Sequence, residues 1–549
     1  MRAAAALALL APTLLGAAPA TADLVVWGGP VYTAVDSRPR AEAVAVRGGR
    51  IAFVGSRAAA RRWVGPRTRV VDLHGAALFP GFTDSHAHLR GIGERELTLN
   101  LEGARSAAEV RERLAAYAAK LPPGRPVFGR GWIETGWPEG RFLQASDLDR
   151  AAPGRVVLLG RADGHALTAS TAALAAAGVD GRTPDPFGGR IDKDAQGRPT
   201  GMLVDNAMAL VAKLRSEPTE ADRLAAFRAA FRVEAAYGWT GVHSMSVSWA
   251  DVPLLERMAA RGEAPLRVYN AVDVGEAEPL LRSGPRASAD GRITTRAIKI
   301  YADGALGSRG AALFEPYSDA PEMRGLMKLK PEGTAPVLAR ARRVGIQVCT
   351  HAIGDRADHV VLDLYRDAGV RAGPASPRWR IEHAQNLSDA DIPRFATLGV
   401  IASMQPSHAI GDLHFAGARL GETRLAGAYA WKRLEDARAV VVGGSDAPVE
   451  RGDPLIEFYA AVARRDLQGR SGPGWHPEQA LSRVAALRLF TRDAAYARFA
   501  ESDLGTLEVG KRADLTAFSV DLMTAPAEAI PRGRAVLTVV DGRVVYARP

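Results

Sequence analysis

Apolar runs recur along most of this chain, and several of them stop on a histidine, a lysine or an aspartate. They are LFPGFTDSHAH, AIKIYADG, IQVCTHAIGD, RWRIEHAQ and AVVVGGSDAP. Each gives way to Gly, Ala or Pro as it reaches its polar residue. Helix-like stretches lie between the runs, and this alternation predicts βα units around a parallel sheet. Strands are predicted at Phe82–His86, Gly241–Ser246, Leu266–Val272, Ala297–Asp303, Gln347–His351, Trp379–His383, Val400–Gln405 and Val440–Ser445. That set closes a (β/α)8 barrel if residues from about 92 to 236 form an insertion after the first strand. The insertion carries a helix-like run, Ala107–Lys120, and an apolar strand, Arg155–Arg161.

The two ends have a different pattern. Residues 23–79 contain LVVWGGPVYT, AEAVAVRGGRIAFVG and RVVDLHGAALFP, which alternate or run apolar between glycine turns. Residues 500–549 repeat the style, with a hairpin turn at Asp541-Gly542. One small β-domain built from both ends is the favoured reading, since two or three strands are marginal alone. Two unrelated β-extensions are the alternative. The barrel then occupies residues 80–499.

Residues 1–22 read as a cleavable leader: Met1-Arg2, an Ala/Leu run from Ala3 to Ala18, then Ala20-Thr21-Ala22 before Asp23. The run is short and Ala-rich for a membrane span. The expectation is export to the periplasm or beyond, with no stable membrane insertion after cleavage.

Composition adds limits. The 549 residues are 47% hydrophobic and 24% charged, ordinary for a large globular chain. The net charge of +10 raises the question of nucleic acid, but the basic residues are scattered among acidic ones with no long run, so no nucleic-acid partner is expected. Cys349 is the sole cysteine, which excludes an intrachain disulfide. It reads as a buried small hydrophobe.

The polar residues at the strand ends carry the chemistry. His86 and His88 are two apart on an extended strand, so their imidazoles face one way and can grip one ion. Asp84, on the same face one step deeper, reads as a hydrogen-bond partner. His351 and His383 are further imidazoles at later strand ends. Glu382 is expected to point away from the site, by strand alternation. Asp446 follows two glycines; an aspartate there can bind metal and take a proton from an activated water. A helix N-cap is the alternative for it. Lys299 lies inside an apolar strand, where an ammonium is costly unless paired. Burial favours its neutral amine, which is open to chemical modification.

Taken together, these pieces resemble the amidohydrolase superfamily, and more closely amidohydrolase family 3, bacterial metal-dependent hydrolases of the N-substituted formamide deformylase type. The matching stretches include PGFTDSHAHL (80–89), GRGW (129–132), RADGHA (161–166), KIYADGALGSRGAAL (299–313), THAIGD (350–355), RIEHAQ (380–385), MQPSH (404–408), GSDAPVE (444–450) and LGTLEVGKRADL (504–515). The resemblance implies a distorted (β/α)8 barrel with a composite β-sandwich from both termini. It implies metal ligands at His86, His88, His351, His383 and Asp446, with Asp446 also the general base. It implies a carboxylated Lys299 as a bridging ligand, and one or two zinc ions. Relatives usually carry Trp and Asn after the DGHA stretch, where this chain has Thr168 and Ser170, and often Asp after GRGW, where it has Ile133-Glu134. Those departures put substrate identity in doubt.

The expected function is hydrolysis of a non-peptide C–N bond in a small N-acyl or N-formyl amide, through a metal-activated water. The same site acting on an ester, lactone or phosphoester is the alternative; a catalytically silent exported binding protein is the alternative of another class. His165, Tyr301 and Ser308 are candidate donors to a developing oxyanion. Trp132 and Trp137 either line an apolar pocket or cover the core. Barrels of this kind often pair, so a homodimer is expected by class, without an interface signature in the sequence.

Overall fold

The structure is a computed structural model that describes residues 21–215, 217–469 and 471–548. Most of the expected leader, residues 1–20, lies outside the described residues. Among the described residues, no helix is long and apolar enough to cross a membrane.

Eight parallel strands form the centre: β1 (Phe82–Ala87), β2 (Trp239–Val247), β3 (Arg267–Asp273), β4 (Ile293–Tyr301), β5 (Gln347–Ala352), β6 (Arg380–His383), β7 (Ile401–Met404) and β8 (Val441–Gly443). Each pairs with its neighbour in sequence order, and each overlaps its predicted strand. Their residues are buried on both faces, which is why the sequence shows near-continuous apolar runs here rather than alternation.

The ring is nearly closed. No ladder joins β8 to β1, but discrete hydrogen bonds do: Ser445 N–H to Asp84 Oδ1 (3.0 Å), Asp446 N–H to the His86 carbonyl (2.7 Å) and His88 N–H to the Ala447 carbonyl (2.7 Å). Gly444 permits this approach, because a Cβ there would lie 2.4 Å from the His86 backbone nitrogen. Asp84 is thus the hydrogen-bond partner the sequence suggested, tying the first strand to the last.

The segment between β1 and β2 carries a six-stranded sheet of its own, with the order Gly189–Lys193, Pro199–Asp205, Ala166–Ala169, Val157–Arg161, Val127–Trp132, Leu99–Asn100. The predicted helix is present at Ala107–Ala118, with the Ser106 hydroxyl capping Glu109 N–H. Strands of both chain ends pair in one eight-stranded sheet, where Ala77–Pro80 runs antiparallel to Leu515–Phe518. The Asp541-Gly542 hairpin turns between Val540 and Arg543, with φ positive at both central residues.

Candidate metal centre

All the strand-end candidates converge at the carboxyl end of the barrel. His86 Nδ1 lies 2.6 Å from Glu382 Oε2. A carboxylate only accepts, so Nδ1 carries the proton and Nε2 keeps its lone pair. His88 Nδ1 lies 3.2 Å from the Met245 carbonyl, and His383 Nδ1 lies 2.7 Å from Gln405 Oε1, with the same consequence for each Nε2. The rings of His86 and His383 are 4.9 Å apart, and those of His351 and His383 are 4.5 Å apart.

Asp446 sits among them. Its Oδ1 is 3.4 Å from His86 Nε2 and 3.1 Å from His88 Nε2. Lone pairs facing a carboxylate repel unless a cation lies between them. Two donors on a tetrahedral ion with bonds of about 2.1 Å stand about 3.4 Å apart. His86 Nε2 and Asp446 Oδ1 are also buried without any hydrogen-bond partner. The donor set therefore fits a divalent cation. One donor atom each from His86, His88 and Asp446 falls within 4.8 Å of the others, and the same holds for His383, His408 and Asp446.

The charges of the centre act strongly on one another. Burial would raise the Asp446 carboxyl, but the His86 and His88 imidazoles outweigh it and hold it well below the ordinary range. Burial and Lys299 push the His86 imidazole down, yet Asp446 and Glu382 leave it raised. Burial lowers the Lys299 ammonium, against the pull of Glu382 and Asp446. Its Nζ stands 5.0 Å over the Tyr301 ring. His351 Nε2 faces Asp303 Oδ1 at 3.3 Å and the Gly304 carbonyl at 3.4 Å, so its Nδ1 is the nitrogen left with a lone pair.

One expectation is corrected. Glu382 does not point away: it grips His86 and is held in turn by Arg380, whose Nε lies 2.7 Å from Glu382 Oε1. Strand alternation fails at this point because His383 has φ +74° and Ala384 φ +42°. The backbone turns at the strand end, so consecutive residues both serve the site. Asp446, at φ +58°, is held in the same left-handed region.

A cavity of about 540 Å³ opens over the centre, between the barrel mouth and the insertion. His383, His408 and Asp446 line it from the barrel, and Trp137, Arg161 and His165 from the insertion. His165 Nδ1 is 2.6 Å from Asp205 Oδ1, which leaves Nε2 free to act, and its ring is 4.9 Å from that of His351. Trp132 is fully buried in the core of the insertion, where its Nε1–H donates to the Leu159 carbonyl. Tyr301 bonds Ser246 through its hydroxyl, and the Ser308 hydroxyl is buried against the Ala305 carbonyl at 3.5 Å. Trp132, Tyr301 and Ser308 are not among the residues lining the cavity, whereas His165 and Trp137 are.

Sequence reasoning gave no role to Gln405, His408, Met245 or Asp205. MQPSH ends the β7 run as the other motifs end theirs, and that position alone was the available signal for Gln405 and His408.

A parallel barrel with an imidazole and carboxylate centre at its carboxyl end defines a metal-dependent hydrolase. The amidohydrolase family pattern matches residues 69–546, and the chain belongs to that family. YtcJ of Bacillus subtilis (strain 168), a protein assigned to the amidohydrolases, is 36% identical over 95% of this chain and 99% of its own length. An N-substituted formamide deformylase of Arthrobacter pascens is 28% identical over 96% of this chain and 98% of its own. The crystal structure of an uncharacterized metal-dependent hydrolase from Pyrococcus horikoshii superposes with a TM-score of 0.74 at 27% identity, covering 92% of this chain and 99% of that one.

Proposed function

We propose that the protein hydrolyses a non-peptide C–N bond in a small N-acyl or N-formyl amide, with zinc, one ion or two, as the metal. The observation that carries the reading is the set of Nε2 lone pairs aimed at a buried, unpartnered Asp446 oxygen. Full-length similarity to a formamide deformylase supports the amide as the substrate class. His86, His88, His351, His383 and Asp446 would together hold the metal, one ion or two, which would supply Lewis acidity to a water and a carbonyl. Asp446, which lines the cavity, accepts a proton and returns it to the leaving nitrogen. His165, held by Asp205 through Nδ1, donates to the oxygen that gains charge only when its Nε2 also carries a proton. Lys299, buried and inclined to the neutral amine, is read as carboxylated.

The terminal sheet is read as a small composite β-sandwich, supported by the pairing of Leu515 with Pro80. Residues 1–22 are read as a cleaved leader that sends the chain to the periplasm or outside, on their composition.

The test is bound metal together with turnover of N-acyl and N-formyl amines beside matched esters. We expect near-stoichiometric zinc, amide turnover, and loss of about 100-fold or more in kcat for Asp446→Asn. Zinc-loaded protein that turns over esters alone would overturn the amide assignment.

A further inference from the structure

We infer that His408 is a metal ligand, and that with His383 and Asp446 it forms a second cation position sharing the Asp446 carboxylate with His86 and His88. This rests on the metal-centre reading above, but His408 is outside the ligand set that the resemblance supplied.

The argument begins with placement. His408 follows β7 on the first turn of the helix Pro406–Asp412, so it enters the site from the barrel's carboxyl end like the other ligands. The turn that carries it also carries Gln405, whose Oε1 fixes the His383 tautomer at 2.7 Å. The two imidazoles then lie face to face, with centroids 5.8 Å apart and planes 16° from parallel. One short segment therefore orients one imidazole and supplies another beside it.

Bonding supplies the second part. His408 Nε2 is buried and has no hydrogen-bond partner. It lies 3.6 Å from Asp446 Oδ2 and 3.9 Å from Glu450 Oε1, both beyond a normal N–H···O bond. The separation from Asp446 instead approaches the edge of about 3.4 Å expected for two donors on one tetrahedral ion. Asp446 faces His86 and His88 with Oδ1 and His408 with Oδ2, so its two oxygens serve different neighbours. Leaving buried polar atoms unmatched is costly, and a cation between them removes the cost.

Metal stoichiometry tests this without a substrate. The full mature chain would be loaded with excess Zn²⁺ or Co²⁺, desalted and counted by elemental mass spectrometry, with the Co²⁺ absorption spectrum recorded. We expect two ions in the wild type. His408→Ala should retain one ion and lose the second, or bind it at least tenfold more weakly. His408→Gln gives the same readout if the alanine variant does not fold. Unchanged stoichiometry and affinity in both folded variants would overturn the ligand assignment while leaving the His86 and His88 position intact. A wild type that binds no ion would overturn the metal-centre reading and this inference with it.

Discussion

Glu234 shows how far a single residue can be pushed by its surroundings. It sits on the helix Glu220–Tyr237, fully buried, and neither carboxyl oxygen has a hydrogen-bond partner. Burial, reinforced by the nearby Asp84 carboxylate, raises its pKa well above the usual value. A group whose folded pKa is raised is least harmful below its unfolded pKa, and stability falls as pH rises through the interval up to the folded value. Glu234→Met keeps the volume and removes the charge. We expect it to stabilise the fold by about 1–3 kcal/mol at pH 8, with the gain shrinking as pH drops towards about 4.5 and levelling off below it. Urea melts of both proteins across that range check it; a gain independent of pH would show that Glu234 does not titrate on unfolding. Residues of this kind are not legible in sequence. His86, His88, His351, His383 and Asp446 were legible because each ends an apolar run, and Lys299 because it interrupts one. Glu382 was misread because the pattern carries alternation but not the positive φ at His383 that breaks it. Gln405 and His408 lie in a motif whose residues, taken alone, are ordinary turn and helix-start chemistry.

At the level of elements, the buried strands of the barrel were visible and most strands of the insertion were not. The eight barrel strands are apolar on both faces, so they stand out at any boundary choice. The insertion was read as one strand and one helix, although six strands are present. Its missed strands include the two-residue Leu99–Asn100 and the partly exposed Gly189–Lys193, neither of which has a sustained period. The join between β8 and β1 depends on an element boundary that sequence could mark only as a glycine pair. Gly444→Ala tests that join. The new methyl would meet His86 backbone N at 2.4 Å and His86 Cβ at 2.8 Å, atoms that cannot swing aside. The strand ends must part, which separates Asp446 from His86 and His88. We expect a stability loss of about 1–3 kcal/mol and a drop in metal affinity on the order of tenfold. Thermal melts with and without zinc separate the two effects, since a purely structural change would lower both melts equally.

On the scale of the whole molecule, the barrel and the terminal sheet are fastened by charge as well as by packing. Arg267 opens β3 at the amino end of the barrel, opposite the metal centre, and its side chain is almost fully buried. Its guanidinium makes two bonds to Asp514, at 2.6 and 2.9 Å, and a third contact to Asp541 of the hairpin turn. The Asp541 backbone N–H in turn donates to Asp514 at 2.9 Å. Thr516 and Thr538 add hydroxyl bonds to the carbonyls of Gly238 and Ala235, where the chain enters β2. Residues far apart in sequence therefore meet in one buried ionic cluster. Replacing the whole cluster with apolar groups need not destabilise it, but removing one partner leaves a buried charge uncompensated. Asp514→Ala strands Arg267 with Asp541 alone and frees the Asp541 N–H. We expect a loss of about 3–5 kcal/mol in global stability. Because the cluster lies at the far end of the barrel, metal stoichiometry in the folded variant should equal that of the wild type. Denaturant unfolding followed in parallel with zinc content checks both halves. Loss of zinc from a variant that is still folded would mean that the terminal sheet shapes the metal centre, and that the two ends of the barrel are not independent.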